Sequence, residues 1–279
     1  MEEKDISAIR PDALAPAAIQ AKAEGIGVTK AAMPALNTVV LAVLAGMFIG
    51  CGAMLFTLVQ GDAELPFAVK RILGGFCFSV GLILVVVCGA ELFTGNNLMA
   101  GALLSKKITW GGMLRNWALV WLGNFAGSLL MVALVFGSAM AAMNGGGVGD
   151  AMVSIAVSKV TPDGLTLFCK AILCNFLVCL AVWMTFAGRT VADKLLACVM
   201  PIIAFVACGF EHSVANMFFL FMGLFAKGAG FGGGVDASAL DLAGIFGNLG
   251  IVTLGNIVGG AVLVALLYWL AYGRAKSGK

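Results

Sequence analysis

Charge is scarce in this chain. Lys, Arg, Asp and Glu make up 11% of its 279 residues while 61% are apolar, and the mean hydropathy is +1.05. A soluble domain carries about 25% charged residues, so that class is excluded and a polytopic membrane protein is expected. The net charge of +3 sits in flanking segments and carries no nucleic-acid reading. Histidine is scarcer still. His212 is the single one, which excludes a haem held by two histidines. The eight cysteines contain no C-x-x-C pair, so neither zinc nor an iron–sulfur cluster is expected, and the thiols read as small buried hydrophobes. No cofactor, metal or catalytic residue is expected, and the chain is not read as an enzyme. Asn-Pro-Ala, the mark of a water or polyol channel, is absent. The first thirty residues lack the apolar core of a cleavable signal and read as a surface or cytoplasmic helix. A G-x-G-x-x-G match at Gly228–Gly233 follows an apolar helix instead of a strand and carries no nucleotide reading.

What the chain has is long apolar runs and a duplication. Cys88-Gly89-Ala90-Glu91 returns as Cys208-Gly209-Phe210-Glu211, each followed five residues on by an asparagine, Asn96 and Asn216. Leu122-Gly123-Asn124-Phe125-Ala126-Gly127 returns as Leu254-Gly255-Asn256-Ile257-Val258-Gly259. Runs long enough to cross the roughly 30 Å hydrocarbon core are Leu36–Val59, Ile72–Leu104, Met113–Met140, Leu165–Ala187, Leu195–Phe225 and Leu242–Tyr272. The second and fifth are too long for one straight span and contain the duplicated glutamates, so both are expected to be broken helices. The expected fold is therefore all-α, with six transmembrane helices as two inverted three-helix repeats, about 34–142 and 165–272, inside a channel domain 34–272. Residues 1–33 form the N-terminal segment and 273–279 the tail. Ionisable groups inside such spans are costly and mark a site. The Gly-x-x-x-Gly pairs at Gly123/Gly127 and Gly255/Gly259 are read as faces for close helix approach.

Twelve of the 17 Lys and Arg residues fall on one side if both termini are cytoplasmic: Lys4, Arg10, Lys22, Lys30, Lys106, Lys107, Arg115, Arg189, Lys194, Arg274, Lys276 and Lys279. Lys70, Arg71, Lys159, Lys170 and Lys227 fall on the other, so the positive-inside rule favours both termini inside, in the inner (plasma) membrane. Asn144–Gly149 and Gly228–Gly234 then become external loops.

His212 follows Glu211 at the second break. A histidine there can offer a proton or a hydrogen bond to an anion in transit. Thr94 and Ser213 are placed where capping hydroxyls would start the half-helices after each break, whose positive N-termini make a weak anion site.

The segments Gly89-Ala90-Glu91-Leu92-Phe93-Thr94 and Gly209–Met217 resemble the two signature segments of the formate/nitrite transporter family. Phe76–Leu82, Cys174–Met184 and Thr253–Asn256 extend the resemblance over nearly the whole chain. It implies an aquaporin-like protomer, a homopentamer with one pore per subunit in the lipid bilayer, and passage of small monovalent weak-acid anions together with protons. Formate is the first candidate, with nitrite or hydrosulfide as alternatives. His212 then resembles the central pore histidine, Thr94 the threonine facing it, and Glu211 the partner of the histidine. Phe78, Leu82 and Phe205 match apolar constrictions on the external side, and Leu92 and Phe93 those on the cytoplasmic side. Lys159 matches a vestibule lysine and Asn175 a pore-proximal asparagine. Lys159 outside and Lys30 inside are expected to concentrate anions at the two mouths.

Overall fold

The structure is a computed structural model that describes residues 13–274, and these are all-helical, with no strand among them. The helices are α1 (Pro16–Ala32), α2 (Ala35–Gln60), α3 (Phe67–Cys88), α4 (Phe93–Asn96), α5 (Met99–Leu104), α6 (Trp110–Gly137), α7 (Gly147–Val160), α8 (Gly164–Ala187), α9 (Val191–Ala207), α10 (Ser213–Gly228) and α11 (Leu242–Ile257). Wider π winding continues α11 through Val258–Leu266 and Trp269–Gly273. Among the described residues, five helices are long and apolar enough to cross a membrane: α2, α3, α6, α8 and the continuous stretch Leu242–Gly273. Residues 1–12 and 275–279, with Lys4, Arg10, Lys276 and Lys279 among them, lie outside the described residues.

Within the second and fifth apolar runs the chain leaves helix at the duplicated sequence. Gly89 and Gly209 have φ of +78° and +70°, a region that L side chains enter only at a cost, which is why each motif places glycine there. The amide two residues after the last helical turn folds back, Ala90 N–H to Val85 O at 2.9 Å and Phe210 N–H to Phe205 O at 3.0 Å, a Schellman-type closure. The backbone then runs extended at Leu92 and His212 before helix resumes at Phe93 and Ser213. The run Leu195–Phe225 is accordingly two helices, neither as long as a full span.

The paired glycines set the packing of α6 and α11. A Cβ at Gly123 would stand 2.5 Å from the Cβ of Ala42 on α2, and one at Gly255 would stand 2.6 Å from the Cβ of Ala171 on α8. At the opposite end of α7, the Gly-rich stretches contradict a loop reading in part. Gly147 onward is helical, and Phe231 of the second stretch lies where a Cβ at Gly149 would have to go. Asp150 Oδ1 ties the two together by accepting from Gly232 N–H at 2.7 Å. Helix α7, left between the repeats by the sequence reading, is the counterpart of α1, because each delivers a lysine from its last turn, Lys30 or Lys159, to the site.

Helix α1 is docked rather than free. Glu24, buried, accepts from Gln20 at 2.7 Å and Ser105 at 2.8 Å and pairs with Lys107 at 2.6 Å. Burial alone would raise the carboxyl pKa. The Lys107 ammonium and the two hydrogen bonds outweigh it and hold the group below its usual value. A depressed folded-state pKa means the docking contribution is complete above the unfolded value near 4.5 and is lost as pH falls through the lower folded value. Glu24→Gln is expected to raise hydrogen exchange in α1 at neutral pH and to remove the additional loosening that the parent shows on acidification; unchanged exchange would contradict the anchoring role.

Candidate functional site

Two cavities of about 350 Å³ each open between the helices. Cavity 1 is lined by Lys30, Glu91, Leu82, Leu92 and Gly95 among others. Cavity 2 is lined by Lys159, Glu211, His212, Phe78, Phe205 and Phe219 among others. Each is organised by the same side-chain network, built once from each half of the chain.

In the first copy Lys30 pairs with Glu91 Oε1 at 2.5 Å, Asn96 Nδ2 donates to Glu91 Oε2 at 2.7 Å and to Asn116 Oδ1 at 2.8 Å, and Asn116 Nδ2 donates to Lys30 O at 3.3 Å. In the second, Lys159 pairs with both oxygens of Glu211 at 3.2 Å, Asn216 Nδ2 donates to Glu211 Oε2 at 2.6 Å and to Asn248 Oδ1 at 2.8 Å, and Asn248 Nδ2 donates to Lys159 O at 2.8 Å. The lysine ammonium also sits 5.3 Å over the Phe219 ring. A carboxylate buried in an apolar wall is tolerable only with a counter-charge and satisfied lone pairs, and these circuits supply both.

A second duplicated amide secures the helix restarts. Asn124 accepts from Phe93 N–H at 2.9 Å and donates to Ala42 O at 2.7 Å and Glu91 O at 2.9 Å. Asn256 accepts from Ser213 N–H at 2.9 Å and donates to Ala171 O at 2.8 Å and Glu211 O at 2.9 Å. Backbone groups freed by leaving helix have no water in an apolar interior, so these two side chains replace the missing partners.

The copies diverge where they meet. Thr94, fully buried, lines neither cavity but adjoins Gly95 of cavity 1, and it lies 2.9 Å through Oγ1 from Nε2 of His212, which lines cavity 2. Ala215 N–H donates to His212 Nδ1 at 3.0 Å. A ring nitrogen that accepts carries no hydrogen, so the neutral ring bears its proton on Nε2 and donates it to Thr94 Oγ1. The Thr94 hydroxyl proton is then left for another acceptor. Phe205 stacks on the imidazole at 5.9 Å and meets Phe78 edge-to-face at 5.8 Å.

Several sequence expectations need correction. Glu211 does not partner His212; its oxygens are taken by Lys159 and Asn216. Neither Thr94 nor Ser213 caps a helix. His212 itself caps α10 through Nδ1, the start of α4 has no side-chain cap from its own N-cap residue, and Ser213 Oγ has no partner among the described residues. Asn175 lines neither cavity. It is buried behind Thr94 and donates to Thr94 O at 3.3 Å, Asn97 Oδ1 at 2.8 Å and Asn256 O at 2.6 Å, which makes it a support for the junction. Leu82, grouped with Phe78 and Phe205, instead shares cavity 1 with Leu92. Phe93 lines neither cavity and packs edge-to-face on Trp117 at 6.2 Å. Lys30 and Lys159, expected at the two mouths, are each ion-paired to a buried glutamate, Glu91 and Glu211. The sequence reading passed over Asn116, Asn248 and Phe219. For the asparagines a signal existed, since each precedes Asn124 or Asn256 by eight residues.

Known proteins resemble this chain along almost its full length. The sequence model described as "Formate/nitrite transporter" matches residues 17–270. The formate channel FocA of Escherichia coli K12 is 41% identical over 273 residues, covering 94% of this chain and 96% of that one. A probable formate transporter of Methanothermobacter thermautotrophicus is 40% identical, covering 86% and 90%. Among solved structures, a pentameric formate channel with formate bound superposes with a TM-score of 0.77 at 37% identity, covering 85% of this chain and 97% of that one. The relatives are channels and transporters, not enzymes, and the chain with its apolar helices and two duplicated cavities belongs to the formate/nitrite transporter family.

Proposed function

We propose that this chain is a membrane channel for small monovalent weak-acid anions, with formate as its substrate, and that the anion passes between cavity 1 and cavity 2 at the Thr94–His212 junction. The observation that carries this reading is the junction itself: one neutral hydrogen-bonded pair between two cavities, each with its own lysine and each walled by Leu82 and Leu92 or by Phe78 and Phe205. An anion stripped of water by those walls incurs an effective penalty of several kcal/mol even after the surroundings relax. The Thr94 hydroxyl, with its oxygen occupied by His212, offers a donor at that point. Six membrane crossings in two three-helix repeats of opposite sense complete the proposal, with the gaps at 89–92 and 209–212 facing inward, five chains forming a homopentamer, and both termini cytoplasmic. The relatives' names and the bound formate of the pentameric structure support the substrate and the assembly.

Passage linked to a proton is part of this reading, with His212 donating. The bond from Ala215 N–H favours a second one, in which formate crosses as the anion. An imidazolium carries a hydrogen at Nδ1 that would face the Ala215 amide, so a proton-carrying His212 has to leave the cap. Labelled formate uptake into proteoliposomes, competed with nitrite, hydrosulfide, lactate and chloride at two pH values, tests the substrate. Strong competition by nitrite or hydrosulfide with weak self-competition would replace formate.

Two further outcomes are expected. A cysteine at Gly146, in a background without accessible thiols, should react with an impermeant maleimide on intact cells while one at Ser105 should not; the reverse pattern overturns the orientation. Phe205→Ala should raise flux per pentamer or relax selectivity, because the ring touching both Phe78 and His212 is the proposed steric gate. Lower pentamer stability with unaltered flux per pentamer would make Phe205 packing alone.

A further inference from the structure

The two cavities share one network and differ in charge. Cavity 1 is lined by one cation and one carboxylate, Lys30 and Glu91, a net of zero. Cavity 2 is lined by three cations and one carboxylate, Arg71, Lys159, Lys170 and Glu211, a net of +2. Since each glutamate is matched by its own lysine, the excess comes from Arg71 and Lys170.

The duplication shows that Lys170 is not required by the scaffold. Its carbonyl accepts from Glu211 N–H at 3.3 Å, as the carbonyl of Leu41 accepts from Glu91 N–H at 3.2 Å, so Leu41 and Lys170 hold equivalent places on α2 and α8. Each lines its own cavity, one with an isobutyl group and the other with an ammonium. The Lys170 ammonium, on a half-buried residue, makes no hydrogen bond or ion pair among the described residues. Arg71 comes from α3. Its Nε donates to Ala207 O at 2.8 Å and its Nη2 to Val206 O at 2.9 Å, which fixes the guanidinium on the last carbonyls of α9. Its Nη1 has no protein acceptor among the described residues. Capping α9 accounts for two of its nitrogens. It accounts neither for the remaining edge nor for a lysine where the other half has leucine.

We propose that Arg71 and Lys170 form an anion-capture subsite in cavity 2, with no equivalent in cavity 1, and that they make the channel's apparent affinity for small monovalent carboxylates sided. The proposal rests on the channel reading above. A fixed, partly bonded guanidinium and an unpaired ammonium lining one cavity suit a carboxylate, and a low-dielectric cleft with an excess of one sign of charge raises local anion concentration. Anions entering from cavity 2 should therefore half-saturate the current at lower concentration than anions entering from cavity 1.

Formate currents through single wild-type pentamers, with formate varied on each side in turn, test this whichever way the pentamer is inserted. The expected result is unequal half-saturating concentrations, the lower one rising with ionic strength. Lys170→Gln should raise that lower value by roughly two- to tenfold, leave the other side unchanged and leave the current at saturating formate unchanged. Lys170→Arg should preserve the sidedness. Equal half-saturation from the two sides of the wild type, or a Lys170→Gln shift that is absent or equal on both sides, overturns the subsite. If Lys170→Gln yields no pentamer, the wild-type sidedness and its salt dependence decide alone. Absence of any formate current in the wild type would instead defeat the channel reading.

Discussion

Asn256→Leu is expected to abolish recovery of the folded protein, in its proposed pentameric form, from detergent extracts, and Asn124→Leu to do the same. Each substitution keeps the γ-branched, four-heavy-atom shape of the side chain and is more apolar, so a gain from burial would be the naive outcome. The structure argues the reverse. Asn256 serves Ser213 N–H, Ala171 O and Glu211 O, and Asn124 serves Phe93 N–H, Ala42 O and Glu91 O, all inside the protein. A buried polar group left without a partner costs about 1–3 kcal/mol. Three at once remove several kcal/mol where the chain has given up its own helical bonds. Asn→Asp keeps the acceptor and loses the two donated bonds, so it should be damaging as well, and a carboxylate facing two carbonyls adds repulsion. Pentamer yield by size-exclusion chromatography checks this. Parent-like yield for Asn256→Leu would show that the chain can leave helix at 209–212 without the amide.

His212→Asn is expected to fold and to take up less formate. Asparagine is a good N-cap, so its side-chain oxygen can take over the bond from Ala215 N–H, while the shorter side chain gives up the contact between Nε2 and Thr94 Oγ1. The substitution therefore separates the two roles that one imidazole performs. If His212 supplies a proton, proton-linked formate uptake should fall by about 10²–10⁴-fold, the usual worth of a positioned acid or base, while anion leak persists or grows. If formate crosses as the anion, the fall should be smaller and the pH profile unchanged. His212→Leu removes both roles and should lower pentamer yield as well as flux. Formate flux against external pH, normalised to pentamer, distinguishes these outcomes.

Much of the fold was legible because it rests on composition and spacing. Apolar run length located the five long helices, and the recurrence of Cys-Gly-x-Glu marked where the chain leaves helix, since glycine at a positive φ is a local demand. What was not legible depends on which side chains meet across helices. Glu211 and His212 are neighbours in sequence, yet in an extended segment successive side chains point apart, so the glutamate turns to Lys159 and the histidine to Thr94. The capping roles assigned to Thr94 and Ser213 failed for a related reason: the residue before the restart carries a ring nitrogen that reaches Ala215 N–H and leaves Ser213 unused. Helix α7 escaped notice because its 14 residues are too short for a span and open on glycines, and only the pairing of Lys159 with Glu211 shows it to be the partner of α1.

The most direct test of the central claim is uptake of labelled formate by proteoliposomes holding the purified wild-type pentamer, set against protein-free vesicles and against vesicles holding a folded Thr94→Val, His212→Asn pentamer. The account predicts saturable uptake well above the protein-free rate in the wild type and a collapse towards that rate in the double variant, whose pentamer elutes normally. Wild-type uptake no faster than in protein-free vesicles, or uptake in the double variant equal to wild type, would contradict it.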